Sequence, residues 1–200
     1  MLLILMSVAM PIAFNVWNAL LNNFVVERVA FTGVEIGILH SLREIPGFIA
    51  FTTVFVLLII KEQTFAVISL ALLGVGVAAT GFFPSTYGVY FTTVVMSLGF
   101  HYFEVAKQSL ALQWLSKDEA PQVLGKLISV GAVTSLIAYG ILWVFLEIFE
   151  FDYLWNFLVP GIVCVLLAIV MWFGFPEYHS KTQQHKKIIL RKRYWLYYGL

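Results

Sequence analysis

The chain has 200 residues, of which 61% are hydrophobic and only 12% charged, with a formal net charge of +1. Soluble domains carry about 25% charged residues, so this composition, with a mean hydropathy of +0.91, excludes an ordinary water-soluble domain. The basic residues are sorted along the chain rather than gathered on a binding face, so no nucleic-acid partner is expected, and the single cysteine, Cys164, excludes an intrachain disulfide and a cysteine metal cluster.

Long apolar runs are separated by short polar gaps at residues 27–32, 61–63, 84–86, 116–121 and 147–152. A membrane-crossing helix needs roughly 20 mostly apolar residues. The gaps therefore predict six spans, an all-α polytopic membrane helix bundle. The first span covers 2–24; it lacks the basic start of a signal peptide and carries a polar stripe, so it reads as a true span. The second covers 33–60 and opens on Thr32 and Glu35, which have capping-box spacing. Pro46-Gly47 should kink it. The third covers 64–83 and stops at Pro84, and the fourth covers 87–115, longer than a bilayer requires. The fifth covers 122–148, where Gly125, Ser129, Gly131, Ser135 and Gly140 are spaced for close helix packing. The sixth covers 153–175, with a kink expected at Pro160-Gly161 and an end at Pro176. A basic loop, 177–193, follows, and an apolar run over 194–200 is the expected start of a seventh span in a longer chain. Residues 1–176 thus form one transmembrane unit.

Lys and Arg sort by side. Lys61, Lys107, Lys117, Lys126 and six basic residues between Lys181 and Arg193 fall toward one side, against Arg28 alone on the other. Basic loops stay in the cytoplasm, which puts the N-terminus and the basic loop there. The basic loop could also meet anionic lipid headgroups, although anchoring the topology is a sufficient role.

A shift of 86 residues overlays the chain on itself. Asn15, Asn18 and Asn22 in the first span fall on His101, Glu104 and Gln108 in the fourth. Both triplets have i, i+3, i+7 spacing and form one stripe on a helix face. The same shift carries the second span onto the fifth and the third onto the sixth. Because the first and fourth spans run in opposite directions, this is an inverted 3+3 repeat, a plan of many secondary transporters.

The two stripes should avoid lipid, where an unsatisfied polar group costs kilocalories per mole. They serve either as interhelical hydrogen-bond glue or as the lining of a solute cavity. His40, Arg43 and Glu44 lie roughly 10–17 Å along the second span. Ionisable residues at such depth are usually functional. They could form a structural ion pair, an outer gate, or an anchor for an anionic solute. Glu104 sits near mid-membrane, where desolvation lets a carboxylate exchange a proton near neutral pH; His101 could relay it. A neutralising Glu104–Lys107 pair is the competing reading. The His101-x-x-Glu104 spacing could ligate a metal, but no second histidine-rich helix completes such a site, and no metal or other cofactor is expected.

The stretches HSLREIPGF (40–48), GFHYFEVAKQSLALQWL (99–115) and LGKLISVGAV (124–133) resemble bacterial permeases of the major facilitator superfamily. The resemblance covers the whole chain and implies the N-terminal six-helix half of a secondary active transporter. It implies a C-terminal six-helix half in the rest of the chain, a central cavity, and alternating access moving a small solute, with protons as a candidate coupling ion. Two departures stand out. The gap between the second and third spans is only Lys61-Glu62-Gln63, without the glycine, aspartate and basic cluster of many members. The fifth span has no proline, so the drug–proton antiporter signature is missing. The substrate does not carry over.

Two other classes compete. A membrane scaffold or receptor would not need polar stripes around a cavity. An intramembrane enzyme would need a nucleophile–base pair or ligand set, and the chain has no His-Glu-x-x-His, Gly-x-Ser-x-Gly or glycine-rich phosphate loop. The chain is therefore read as a non-enzyme.

Overall fold

The computed structural model describes residues 1–178, and every element within them is helical. The basic stretch from 179 to 193 and the expected seventh span at 194–200 lie outside the described residues. The α-helices are α1 (Leu2–Val29), α2 (Gly33–Phe48), α3 (Thr53–Val56), α4 (Glu62–Thr80), α5 (Thr86–Trp114), α6 (Ala120–Glu147) and α7 (Tyr153–Gly174). A 3₁₀ turn, Ile49–Thr52, joins α2 to α3. Four of these, α1, α4, α6 and α7, are long and apolar enough to cross a membrane. A helix suits that setting because it satisfies its own backbone donors and acceptors.

Local signals set the helix ends. The Glu35 carboxylate accepts from the Thr32 backbone N–H at 2.8 Å, and the Thr32 hydroxyl accepts from Val34 N–H at 3.3 Å, so α2 starts on the expected box. Ser85 caps α5 by accepting from Gly88 N–H at 3.3 Å. The expected continuous second span is instead broken. Pro46 sits inside α2, and two residues after Gly47 the backbone tightens into the 3₁₀ turn before the short α3. Proline removes one helix donor, and the Thr52-Thr53-Val54 run that follows is β-branched and stiff. By contrast, α7 continues as a helix through Pro160.

The core gathers on α4, which packs against both α5 and α7; α1 packs against α6 and α7, and α2 against α5. Glycines permit the closest approaches. A methyl added at Gly74 would meet Gly161 O at 2.8 Å, and one at Gly161 would meet Gly74 O at 2.6 Å. Across α4 and α5, a methyl at Gly99 would stand 2.7 Å from Leu73 Cα and from Ser69 O. The small residues of α6 play a lesser part than their spacing suggests. Nothing lies within 4 Å of a methyl built on Gly125 or Gly140, and Gly131 makes only ordinary contact with Ser7 O and Pro11. Only Leu127, Ala138 and Leu142 of α6 are buried, so this helix sits at the margin of the bundle.

Polar contacts tie the two ends. At one end Arg28 pairs with Asp152, and the Tyr153 hydroxyl donates to Glu27 at 2.8 Å. At the other Lys61 pairs with Glu177, Gln63 donates to Pro176 O at 3.1 Å, and Gln113 donates to Glu62 at 2.8 Å. The loops at 27–32 and 147–152 therefore share one end, and the 61–63 loop shares the opposite end with the termini of α5 and α7. Between them, Trp17 Nε1 donates to the buried Thr80 hydroxyl at 3.1 Å, which itself donates to Gly76 O at 2.9 Å.

Candidate functional site

A cavity of about 600 Å³ opens between α1, α5 and α6. Asn15 reaches it from α1, and Glu104, Lys107 and Gln108 reach it from α5 because positions three and four apart share a helix face. Ser135 reaches it from α6, where it accepts a hydrogen bond from Asn15 Nδ2 at 2.7 Å and donates to Gly131 O at 2.8 Å. Phe14 and Phe100 line the cavity and stack on each other, with ring centroids 4.1 Å apart and 14° between planes. Apart from Ser7, the remaining lining, Met10 and Leu127 among it, is apolar.

The polar groups that α5 turns toward this space are only loosely engaged. Lys107 Nζ stands 3.5 Å from Glu104 Oε1, longer than the roughly 2.7–2.9 Å of an engaged charge-assisted hydrogen bond. Gln108 is exposed and makes no hydrogen bond among the described residues. Ser7 of α1 also contributes to the lining, and its hydroxyl is buried without a hydrogen-bond partner among the described residues.

Four of the other predicted residues, Asn18, Arg43, Glu44 and His101, form a second cluster, where α1, α2 and α5 meet. Arg43 donates to Glu44 Oε1 at 3.0 Å and to Asn18 Oδ1 at 3.3 Å. His101 Nε2 lies 4.0 Å from Glu44 Oε2. The Ser97 hydroxyl donates to the Arg43 carbonyl, fixing α2 on α5. The His101 ring lies so close to α2 that a methyl at Gly47 would be 2.8 Å from its Cε1. Glycine is what lets this imidazole lie against the α2 backbone. Glu44 keeps 60% of its side chain exposed, whereas Arg43 keeps 25% and His101 24%. The carboxylate therefore points outward while the guanidinium and the imidazole are held inside.

The predicted stripes are thus divided. Asn15, Glu104 and Gln108 line one cavity. Asn18 and His101 belong to the ion cluster. Asn22 is exposed, and neither it nor His40 makes a hydrogen bond or ion pair among the described residues. Sequence reading did not single out Ser7, Phe14 or Phe100 as lining. Ser135 carried a signal of another kind, since its spacing with Gly131 suggested packing. Among the described residues no group of three or more histidines, cysteines or carboxylates could hold a metal ion.

No family model, curated protein or solved structure matches the chain. The functional reading therefore rests on the residues themselves.

Proposed function

We propose that the chain is a six-span unit of a secondary transporter of the major facilitator type, moving a small solute by alternating access. The observation that carries this reading is the cavity, where polar residues from α1, α5 and α6 converge inside an otherwise apolar bundle. Keeping charged and amide side chains at such a place is costly. A water-filled solute path removes that cost, whereas a scaffold or receptor gains nothing from it.

The helix neighbours support an inverted repeat. Exchanging α1 with α5, α2 with α6 and α4 with α7 turns the α1–α6 contact into α5–α2 and the α1–α7 contact into α5–α4. It leaves α4–α7 unchanged. Gly74 and Gly161 face each other at that α4–α7 contact, one residue off the 86-residue shift of the polar stripes. In this reading α5 and the broken α2–α3 segment supply the two crossings beyond the four apolar helices. The broken segment is tolerable because irregular backbone can be accommodated where it lines a cavity or is covered by protein. The N-terminus and the basic loop are cytoplasmic by the distribution of Lys and Arg.

Proton coupling is the secondary element of the proposal. Both carboxylates stand beside a cation, Glu104 beside Lys107 and Glu44 beside Arg43. His101, whose Nε2 lies 4.0 Å from the Glu44 carboxylate, is the neighbour whose imidazole can take up and release a proton. Coupling is therefore assigned to the Glu44–His101 pair in preference to Glu104.

The test is cysteine accessibility. Asn15→Cys and Gln108→Cys, each with Cys164→Ala, are treated with a membrane-impermeant thiol reagent in right-side-out and inverted vesicles. Alternating access predicts reaction from both sides, each side favoured under different conditions. Absence of reaction from either side refutes it.

A further inference from the structure

We infer that the cavity between α1, α5 and α6 takes a small zwitterion with an apolar body, an apolar amino acid being the simplest case. This rests on the transporter reading and adds the substrate class. Glu104 and Lys107 face the same space one helical turn apart, at a separation that leaves neither fully engaged. An α-amino acid carries an ammonium and a carboxylate on one carbon, so it can meet Glu104 with the first and Lys107 with the second. The Gln108 amide, which makes no hydrogen bond among the described residues, stands next to Lys107 and can bind the same carboxylate.

The rest of the lining selects the body of the ligand. Most of it is apolar, and the stacked Phe14 and Phe100 rings form part of the wall. A sugar would need neutral donors and acceptors all round, but the polar groups here are confined mainly to one α5 face and the Asn15–Ser135 pair. A simple anion would leave Glu104 opposed, and a simple cation would leave Lys107 opposed. The volume of about 600 Å³ lies within the usual range of small-molecule pockets.

The experiment is equilibrium binding of radiolabelled L-phenylalanine to the 200-residue chain in lipid nanodiscs. Competitors are L-leucine, 3-phenylpropionate (no ammonium), 2-phenylethylamine (no carboxylate) and glucose. Leucine should compete, the two single-charge analogues should be weaker by about tenfold or more, as expected for losing one charge-assisted hydrogen bond, and glucose should not compete. Glu104→Gln should erase the preference for phenylalanine over 3-phenylpropionate. Lys107→Gln should erase the preference over 2-phenylethylamine. The competition series on the unaltered chain decides the matter even where a variant does not fold. Equal competition by the single-charge analogues, competition by glucose, or no phenylalanine binding overturns the zwitterion assignment. If Gln108→Cys still reacts from both sides of the membrane, the transporter reading survives that failure. If it does not, both fall.

Discussion

Replacing Gly99 with alanine tests the α4–α5 packing that positions the cavity wall. Two terms oppose each other. Alanine favours a helix over glycine by about 1 kcal/mol. Its methyl, however, would stand 2.7 Å from Leu73 Cα and Ser69 O, and closer still to Leu73 N, where 3.4 Å begins ordinary contact. The obstacles are main-chain atoms of α4, which cannot rotate away, so the helices must part by about 0.7 Å or more. Overpacking of this kind costs about 3 kcal/mol at the upper end of its usual range. The net loss is about 2 kcal/mol, or roughly 4–8 °C in melting midpoint for a chain of this size. Cys164 provides the assay: it is fully buried on α7, its Sγ 3.5 Å from Leu70 O, and becomes available to a thiol-reactive fluorophore only on unfolding. Gly140→Ala is the control, since nothing lies within 4 Å of a methyl there, and its midpoint should hold or rise. If Gly99→Ala melts no lower than Gly140→Ala, the close α4–α5 contact is refuted.

Trp17→Phe removes the 3.1 Å hydrogen bond to Thr80 and leaves a cavity at a fully buried site, so in the same melting assay it should cost more than the ~1 kcal/mol of the hydrogen bond alone. Gly47→Ala should displace the His101 ring and lower stability; Gly37→Ala, where nothing lies within 4 Å, should not. Given a complete transporter, His101→Gln should abolish proton-driven accumulation while leaving counterflow intact, and survival of accumulation would remove His101 from the coupling role. Cysteines at Ser85 and Gln183 should label from opposite faces of the membrane, and labelling of both from outside would overturn the orientation.

The sequence carried the helices more fully than the site. Apolar run length located the long helices, four of which are long and apolar enough to cross a membrane, because polar gaps are confined to the helix ends. The Thr32–Glu35 box marked the start of α2 because capping is a local interaction. Tertiary facts were not local. Gly74, Gly76, Gly99 and Gly161 make the close contacts, yet their neighbours on other helices decide that. The evenly spaced small residues of α6 looked equally suitable and are mostly at open positions. The α2 break came after Pro46-Gly47 rather than as a simple kink, and the close fit of Gly47 to the His101 ring is a contact with another helix that no local pattern announces. The stripe Asn15–Asn18–Asn22 divided because it meets different helices along its length. Asn15 faces Ser135 on α6 and Asn18 faces Arg43 on α2.

The central claim is that α5 presents a wet, solute-binding face inside a bundle whose α6 margin faces lipid. Spin labels at Gln108 and at Leu136, which is 72% exposed on α6, test it directly in reconstituted bilayers. The measurement is collision with a water-soluble nickel chelate against collision with oxygen, which concentrates in the hydrocarbon. Gln108 should collide with the chelate and Leu136 with oxygen. An oxygen-dominated, chelate-inaccessible label at Gln108 would place that face in lipid and contradict the account.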